Sequence, residues 1–151
     1  MNTSEVNFPE EMLDQKILIA GGGGFIGGHL VADLLRRGCR DIVSVDIKPF
    51  DQWYQYFPDI ENRVADLCEA DACSSAADGC DRIYNLACDM GGMGFIEHNK
   101  ALCMRSVLIN TQLLDAGKVH GCKRFFYSSS ACVYAADKQI AADVPALKEE
   151  D

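Results

Sequence analysis

The segment Ile17-Leu18-Ile19-Ala20-Gly21-Gly22-Gly23-Gly24-Phe25-Ile26-Gly27-Gly28-His29-Leu30 restricts the fold more than any other stretch of the chain. An apolar run of strand type meets four consecutive glycines and passes directly into a helical pattern. Within it stands Gly21-x-x-Gly24-x-x-Gly27. In a strand–turn–helix each of these glycines has a separate task. Gly21 permits the tight turn off the strand, Gly24 lets backbone approach a pyrophosphate with no Cβ between, and Gly27 lets the helix pack close to the strand. The helix then directs its unpaired N–H groups and positive dipole end at the phosphates. Glycines alone would also suit an ordinary turn. Here a strand precedes them, a helix follows and an acidic residue stands at the right distance, which is the context a dinucleotide-binding turn requires. Gly21, Gly24 and Gly27 are therefore assigned to a cofactor, together with Phe25 and Ile26, which open the helix.

That acidic residue is Asp46. It ends the apolar stretch 41–46, read as a second strand, 19 residues after Gly27. A carboxylate there accepts hydrogen bonds from the adenosine ribose hydroxyls and repels the 2′-phosphate of NADP, so the expected cofactor is NAD. The plainer reading is a turn aspartate. The rest of the chain keeps the same rhythm: strand 16–20, helix 25–37 closed by Gly38, a third strand 63–67 ending near Asp66, helix 69–78, strand 82–87, a long helix 95–119, and strand 123–128. Alternating strands and helices with short links predict an α/β fold, a doubly wound parallel sheet of Rossmann type with five strands in the order 3-2-1-4-5. Residues 1–14 read as a loose acidic leader and 15–151 as one domain. The stretch 49–60 carries five aromatics between prolines. It reads either as cover for the sheet edge or as a contact surface for a partner.

Composition narrows the function. A net charge of −9 argues against nucleic acid or an anionic membrane as partner, so an anionic ligand must be held by local dipoles and amides. No apolar run approaches the roughly 20 residues of a membrane span. None of the eight cysteines forms C-x-x-C or stands at zinc spacing with histidine, so no metal site is expected, and the thiols read as reduced and cytoplasmic.

Several further stretches join the glycine turn and Asp46: Asp66-Leu67, Asn85-Leu86-Ala87, and Ser128-Ser129-Ser130-Ala131-Cys132-Val133-Tyr134. Together they resemble the extended short-chain dehydrogenase/reductase superfamily, whose members are mostly NAD-dependent sugar-nucleotide epimerases and dehydratases. Within it, the run Cys88-Asp89-Met90-Gly91-Gly92-Met93-Gly94-Phe95-Ile96 and the stretch 123–134 are similar to the GDP-mannose 3,5-epimerase branch. The resemblance covers about residues 16–150 and only the N-terminal part of the family's usual length.

The resemblance implies NAD as cofactor, with Asp66 reaching the adenine amino group and Leu67, Leu86 and Ala87 beside the nucleotide. It implies a nucleotide sugar, GDP-mannose, as substrate, in a pocket shaped by Gly91, Gly92 and Met93. Ser130 would hydrogen-bond the sugar's C4 oxygen. Cys132 would be one acid/base group, although a small residue closing the strand is the plainer account of that position. The superfamily's Tyr-x-x-x-Lys stands on a later helix. Tyr134 and Lys138 have the spacing but follow the strand directly, and they read as a decoy. In the long helix Arg105-Ser106 replaces the asparagine usual among relatives, which puts a local hydrogen-bond network in question. The expectation is that these 151 residues alone bind NAD weakly, self-associate and do not turn over substrate. A homodimer, or pairing with a chain supplying the C-terminal part, would complete them. A non-catalytic NAD-binding module and a different nucleotide-sugar epimerase or dehydratase are the competing readings.

Overall fold

The computed structural model describes residues 8–89, 93–129, 146 and 148. Its centre is β1 (Ile17–Ala20), all four residues of which are buried. Alternation splits that strand between two cores. Ile17 and Ile19 face one side, with Met12, Val31, Leu34, Cys39 and Ile42; Leu18 and Ala20 face the other, with Val43, Val45, Ile83 and Leu113. A strand buried on both faces belongs in the middle of a parallel sheet. β1 pairs in parallel with β2 (Ile42–Asp46) and with β4 (Arg82–Asn85); β3 (Glu61–Val64) lies outside β2, and β5 (Arg124–Tyr127) outside β4. The order is β3-β2-β1-β4-β5, as the sequence predicts.

Helix α1 (Phe25–Arg37) covers the Ile17 face. It stops at Gly38, whose φ of 103° is left-handed, while the Cys39 N–H returns to the Leu34 carbonyl at 3.0 Å. Helices α2 (Ala70–Ala77) and α4 (Lys100–Val119) cover the opposite face through Cys73, Ala76, Ile109, Leu113 and Ala116.

Four expectations need correction, and in each a side chain explains the difference. The strand predicted at 63–67 is Glu61–Val64, because the Asp66 carboxylate takes the Cys68 N–H at 2.9 Å and turns the chain. The strand predicted to reach residue 87 stops at Asn85, whose amide oxygen accepts the Ala87 N–H at 3.2 Å. The helix predicted over 95–119 is two helices, α3 (Met93–His98) and α4. At the break, Asn99 leaves helical torsions (φ −127°, ψ 37°), and its Nδ2 joins its own backbone N–H on the Phe95 carbonyl, at 2.9 and 3.0 Å, tying the residue to the end of α3. The described part of the leader is not loose: Glu10–Asp14 forms a 3-10 turn that puts Met12 into the α1-side core, and Phe8 packs beneath the Arg37 guanidinium.

The aromatic stretch 49–60 acts as cover, although little of it protects the sheet edge. Trp53 is buried against Gly23 of the glycine turn and donates its indole N–H to the Lys48 carbonyl at 2.8 Å. Phe57 joins the α1-side core, while Tyr54 and Tyr56 stay exposed. Among the described residues β3 and β5 are the two edge strands, and on β5 Phe126 is half exposed. Leu102, Val107 and Leu108 give α4 an exposed apolar face, whereas Leu113 is fully buried in the core.

Candidate cofactor-binding site

The C-terminal ends of β1 to β4 open onto a cavity of about 200 Å³. It lies where the strand order reverses between β1 and β4, the place where open α/β sheets take ligands. Gly21 and Gly24 form its floor; the walls come from the residues after β2, β3 and β4 and from Arg105 and Ile109 of α4.

At Gly21 and Gly27 only glycine serves. Gly21 has φ +83°, and a Cβ there would also strike the Leu86 carbonyl carbon at 2.8 Å. Its N–H and that of Gly22 both donate to the Val45 carbonyl, at 2.8 and 3.0 Å, which pins the turn over β2. At Gly27 a Cβ would overlap the Gly21 carbonyl oxygen, so α1 lies directly on the turn. Gly24 differs. Apart from the Gly21 oxygen at 3.2 Å, nothing stands within 4 Å of where its Cβ would be. Gly24 thus leaves room at the cavity floor, at the end of a helix whose first N–H groups have no acceptor within the helix. Phosphate oxygens fit that cradle.

Asp46, the last residue of β2, is buried at 8% exposure and lines the same cavity. One carboxylate oxygen accepts the Lys48 N–H at 3.1 Å, which sets its orientation. Asp66 is held at both oxygens, by the Cys68 N–H at 2.9 Å and by Arg105 Nη2 at 2.8 Å. The Cys68 N–H, reinforced by the Arg105 guanidinium, keeps its carboxyl below the usual carboxylate range, so Asp66 is an anion at neutral pH. The buried Asn85 side chain donates to Asn110 of α4 at 3.1 Å and locks the end of β4 to that helix. Ser128 Oγ in turn donates to the Asn85 carbonyl at 3.3 Å, so the serine run begins at this same sheet edge.

Of the sequence-assigned cofactor residues, the structure gathers Gly21, Gly24, Asp46, Asp66, Leu67, Leu86 and Ala87 around one cavity. Phe25 and Ile26 do not line it. Their side chains are exposed, and the Phe25 ring packs edge-on against His29 and Tyr54, with centroids 4.7 and 4.9 Å away. Only their backbone N–H groups are left to serve a phosphate. Gly27 acts by packing, without lining the cavity. Gly91, Gly92, Ser130 and Cys132, with Tyr134 and Lys138, lie outside the described residues; Met93 opens α3. Sequence reasoning missed Ile47, Lys48, Ala65, Asp89, Arg105 and Ile109, all of which line the cavity. Ile47 and Lys48 directly follow Asp46, and Ile109 stands one helical turn from Arg105, so position relative to the known members was the available signal.

Comparison with known proteins agrees with this geometry. Residues 17–151 match the family model described as NAD dependent epimerase/dehydratase family. GDP-mannose 3,5-epimerase 1 of Oryza sativa subsp. japonica is 40% identical over 148 residues, covering 97% of this chain and 38% of that protein. The 3 beta-hydroxysteroid dehydrogenase/Delta 5-->4-isomerase of Mycobacterium tuberculosis is 34% identical over 140 residues, covering 90% of the chain and 37% of that protein. Among solved structures, MoeE5 in complex with UDP-glucose and NAD superposes with a TM-score of 0.72 at 25% identity, over 90% of this chain and 41% of that one. The chain thus spans well under half the length of the relatives it matches.

Proposed function

The chain belongs to the NAD-dependent epimerase/dehydratase family, and on that premise we propose that it is the NAD-binding part of a sugar-nucleotide epimerase acting on GDP-mannose. The observation that carries this reading is the 40% identity to the rice GDP-mannose 3,5-epimerase across 97% of the chain. Bound NAD supplies a reversible hydride acceptor for the C4 carbinol of the hexose. The protein's part is to bind, orient and move protons. The Gly21–Gly24 turn and the start of α1 hold the pyrophosphate, and Asp46 accepts hydrogen bonds from the adenosine ribose. Asp66 accepts one from the adenine amino group. Gly91, Gly92 and Met93 shape the sugar pocket, Ser130 orients the C4 oxygen, and Cys132 exchanges the proton at C5, which a neighbouring ketone makes acidic. A reducing cytoplasm is the proposed compartment: burial pushes the Cys73 and Cys80 thiols up to about 11, so they serve as small apolar groups.

The test is NMR of GDP-mannose in deuterated buffer with the full-length protein. Deuterium is expected at C5 and C3. Turnover of a hydroxysteroid with no incorporation into GDP-mannose would favour a second reading, drawn from the 34% identity to the mycobacterial steroid dehydrogenase. A polypeptide limited to residues 1–151 is expected to incorporate none and to scatter light as an associated species. Its β5 edge and the Leu102–Leu108 side of α4 would seek a partner.

Asp46 carries a separate prediction. Its charge would repel the 2′-phosphate of NADP, so the parent protein is expected to bind NAD more tightly than NADP. Asp46→Asn is expected to weaken NAD about tenfold, the worth of a hydrogen bond to a charged group. It should strengthen NADP, because the charge that repels its 2′-phosphate is gone. Calorimetric titration of both cofactors reads this directly, and equal or tighter NADP binding by the parent would sink the assignment.

A further inference from the structure

Arg105 is the guanidinium in the cofactor cavity, and the fold gives it two partners from different strands. Its Nη2 meets Asp66, just beyond β3, at 2.8 Å. Its Nε, shielded from solvent and without a hydrogen bond, faces the Asp89 carboxylate beyond β4 at 3.4 Å. Asp89 is also gripped from the neighbouring position, since its N–H donates to Ser106 Oγ at 3.0 Å. The base of this clasp is rigid. One turn further along α4, Ile109 is buried in the core, and Asn110 is bonded to the buried Asn85. Arg105 therefore reaches the two loops from a fixed point and spans them as a fork. A lysine, a single point charge, has no fork with which to engage two carboxylates in fixed directions.

The consequence concerns Asp66. Its Oδ1 belongs to the Cys68 N–H and its Oδ2 to Arg105, so the plane of the carboxylate is fixed and each oxygen keeps a lone pair for a ligand donor. Three carboxylates (Asp46, Asp66 and Asp89) line the cavity beside two cations (Lys48 and Arg105). Without Arg105, the Cys68 N–H alone would hold Asp66, leaving its carboxylate free to turn about that bond.

We propose that Arg105 is a positioning residue for base specificity: by clasping Asp66 and Asp89 across the cavity wall, it holds the Asp66 carboxylate where it selects a 6-aminopurine. This rests on the assignment of Asp66 to the adenine. A 6-oxopurine presents an acceptor to that carboxylate instead of a donor, so the ratio of affinities for the two bases reports how well Asp66 is held.

The experiment titrates NAD and nicotinamide hypoxanthine dinucleotide into the full-length protein, its Arg105→Ala, Arg105→Lys and Asp66→Asn variants, and the double variant. Thermal melts verify that each is folded. The parent is expected to favour NAD about tenfold. Asp66→Asn should bring the ratio near unity, since an amide can serve either base. Arg105→Ala should bring it below about threefold, Arg105→Lys should restore it only in part, and the double variant should lose no more than Asp66→Asn alone. If Arg105→Ala weakens both dinucleotides equally and keeps the ratio, Arg105 is merely structural and the proposal fails while the Asp66 assignment stands. If Asp66→Asn keeps the parent ratio, the Asp66 assignment itself fails and takes the proposal with it.

Discussion

Gly27→Ala is expected to cost the protein at least about 2 kcal/mol of stability and to abolish measurable NAD binding. Alanine at a helix position ordinarily gains up to about 1 kcal/mol over glycine. Here the added methyl would overlap the Gly21 carbonyl oxygen and stand 2.8 Å from the Gly22 Cα, so it meets backbone and no side chain can turn aside. Relief requires α1 to lift from the turn. That motion would loosen Val31 and Leu34 from the core they share with Ile17 and Ile19. Overpacking of a well-filled interior costs about 1–3 kcal/mol, and collision with backbone belongs at the upper end. Lifting α1 also moves its first N–H groups away from the phosphate cradle, so affinity falls with stability. Gly94→Ala is the control: it too lies in a helix, with nothing within 4 Å of its Cβ position. Urea denaturation should show a lower midpoint for Gly27→Ala and an unchanged or higher one for Gly94→Ala. A Gly27→Ala protein with the parent midpoint and parent NAD affinity would mean that the helix does not rest on the turn.

The sheet order was legible because β1 must be buried on both faces, and one run of four apolar residues before a glycine turn has few other uses. The element ends were less legible. They are set by single side chains that capture a nearby backbone group: Asp66 with Cys68, Asn85 with Ala87, Asn99 with Phe95. Hydrophobic periodicity carries no record of such bonds. The same division holds at the site. Gly21, Gly24 and Asp46 could be read because their chemistry falls at strand ends within one βαβ unit. Arg105 could be noticed but not given a role, since it stands 39 residues from Asp66 and only the packing of α4 brings the two together. Phe25 and Ile26 can serve the site only through their backbone, for a geometric reason. The first turn of α1 offers its N–H groups to the cradle while its side chains point elsewhere.

On the proposed GDP-mannose epimerase reading, Cys132→Ala, made in the full-length protein, is expected to slow deuterium entry at C5 of GDP-mannose by about a thousandfold, with NAD affinity unchanged. The C5 proton becomes removable once a ketone stands at C4, and a base must then lie within hydrogen-bond reach of it. A positioned acid/base group contributes about 10²- to 10⁴-fold, which sets the expected loss. A thiol suits the task because its ordinary pKa, about 8.5, needs only a modest reduction to reach operating pH. Cys132→Ser is the informative companion. It keeps the volume and a hydrogen-bonding group but raises the ionisation far beyond neutral pH, so it should be nearly as slow as Cys132→Ala if ionisation is the property that matters. The cofactor cradle draws on Gly21, Gly24, Asp46 and Asp66, none of which adjoins Cys132 in sequence, so calorimetry should return the parent NAD affinity for both variants. If Cys132→Ala exchanges C5 at the parent rate, the thiol only fills space after β5 and another group removes the proton. If exchange and NAD affinity fall together, the residue supports the fold of the site without taking the proton. Loss of exchange at intact affinity is the outcome that assigns Cys132 to the chemistry.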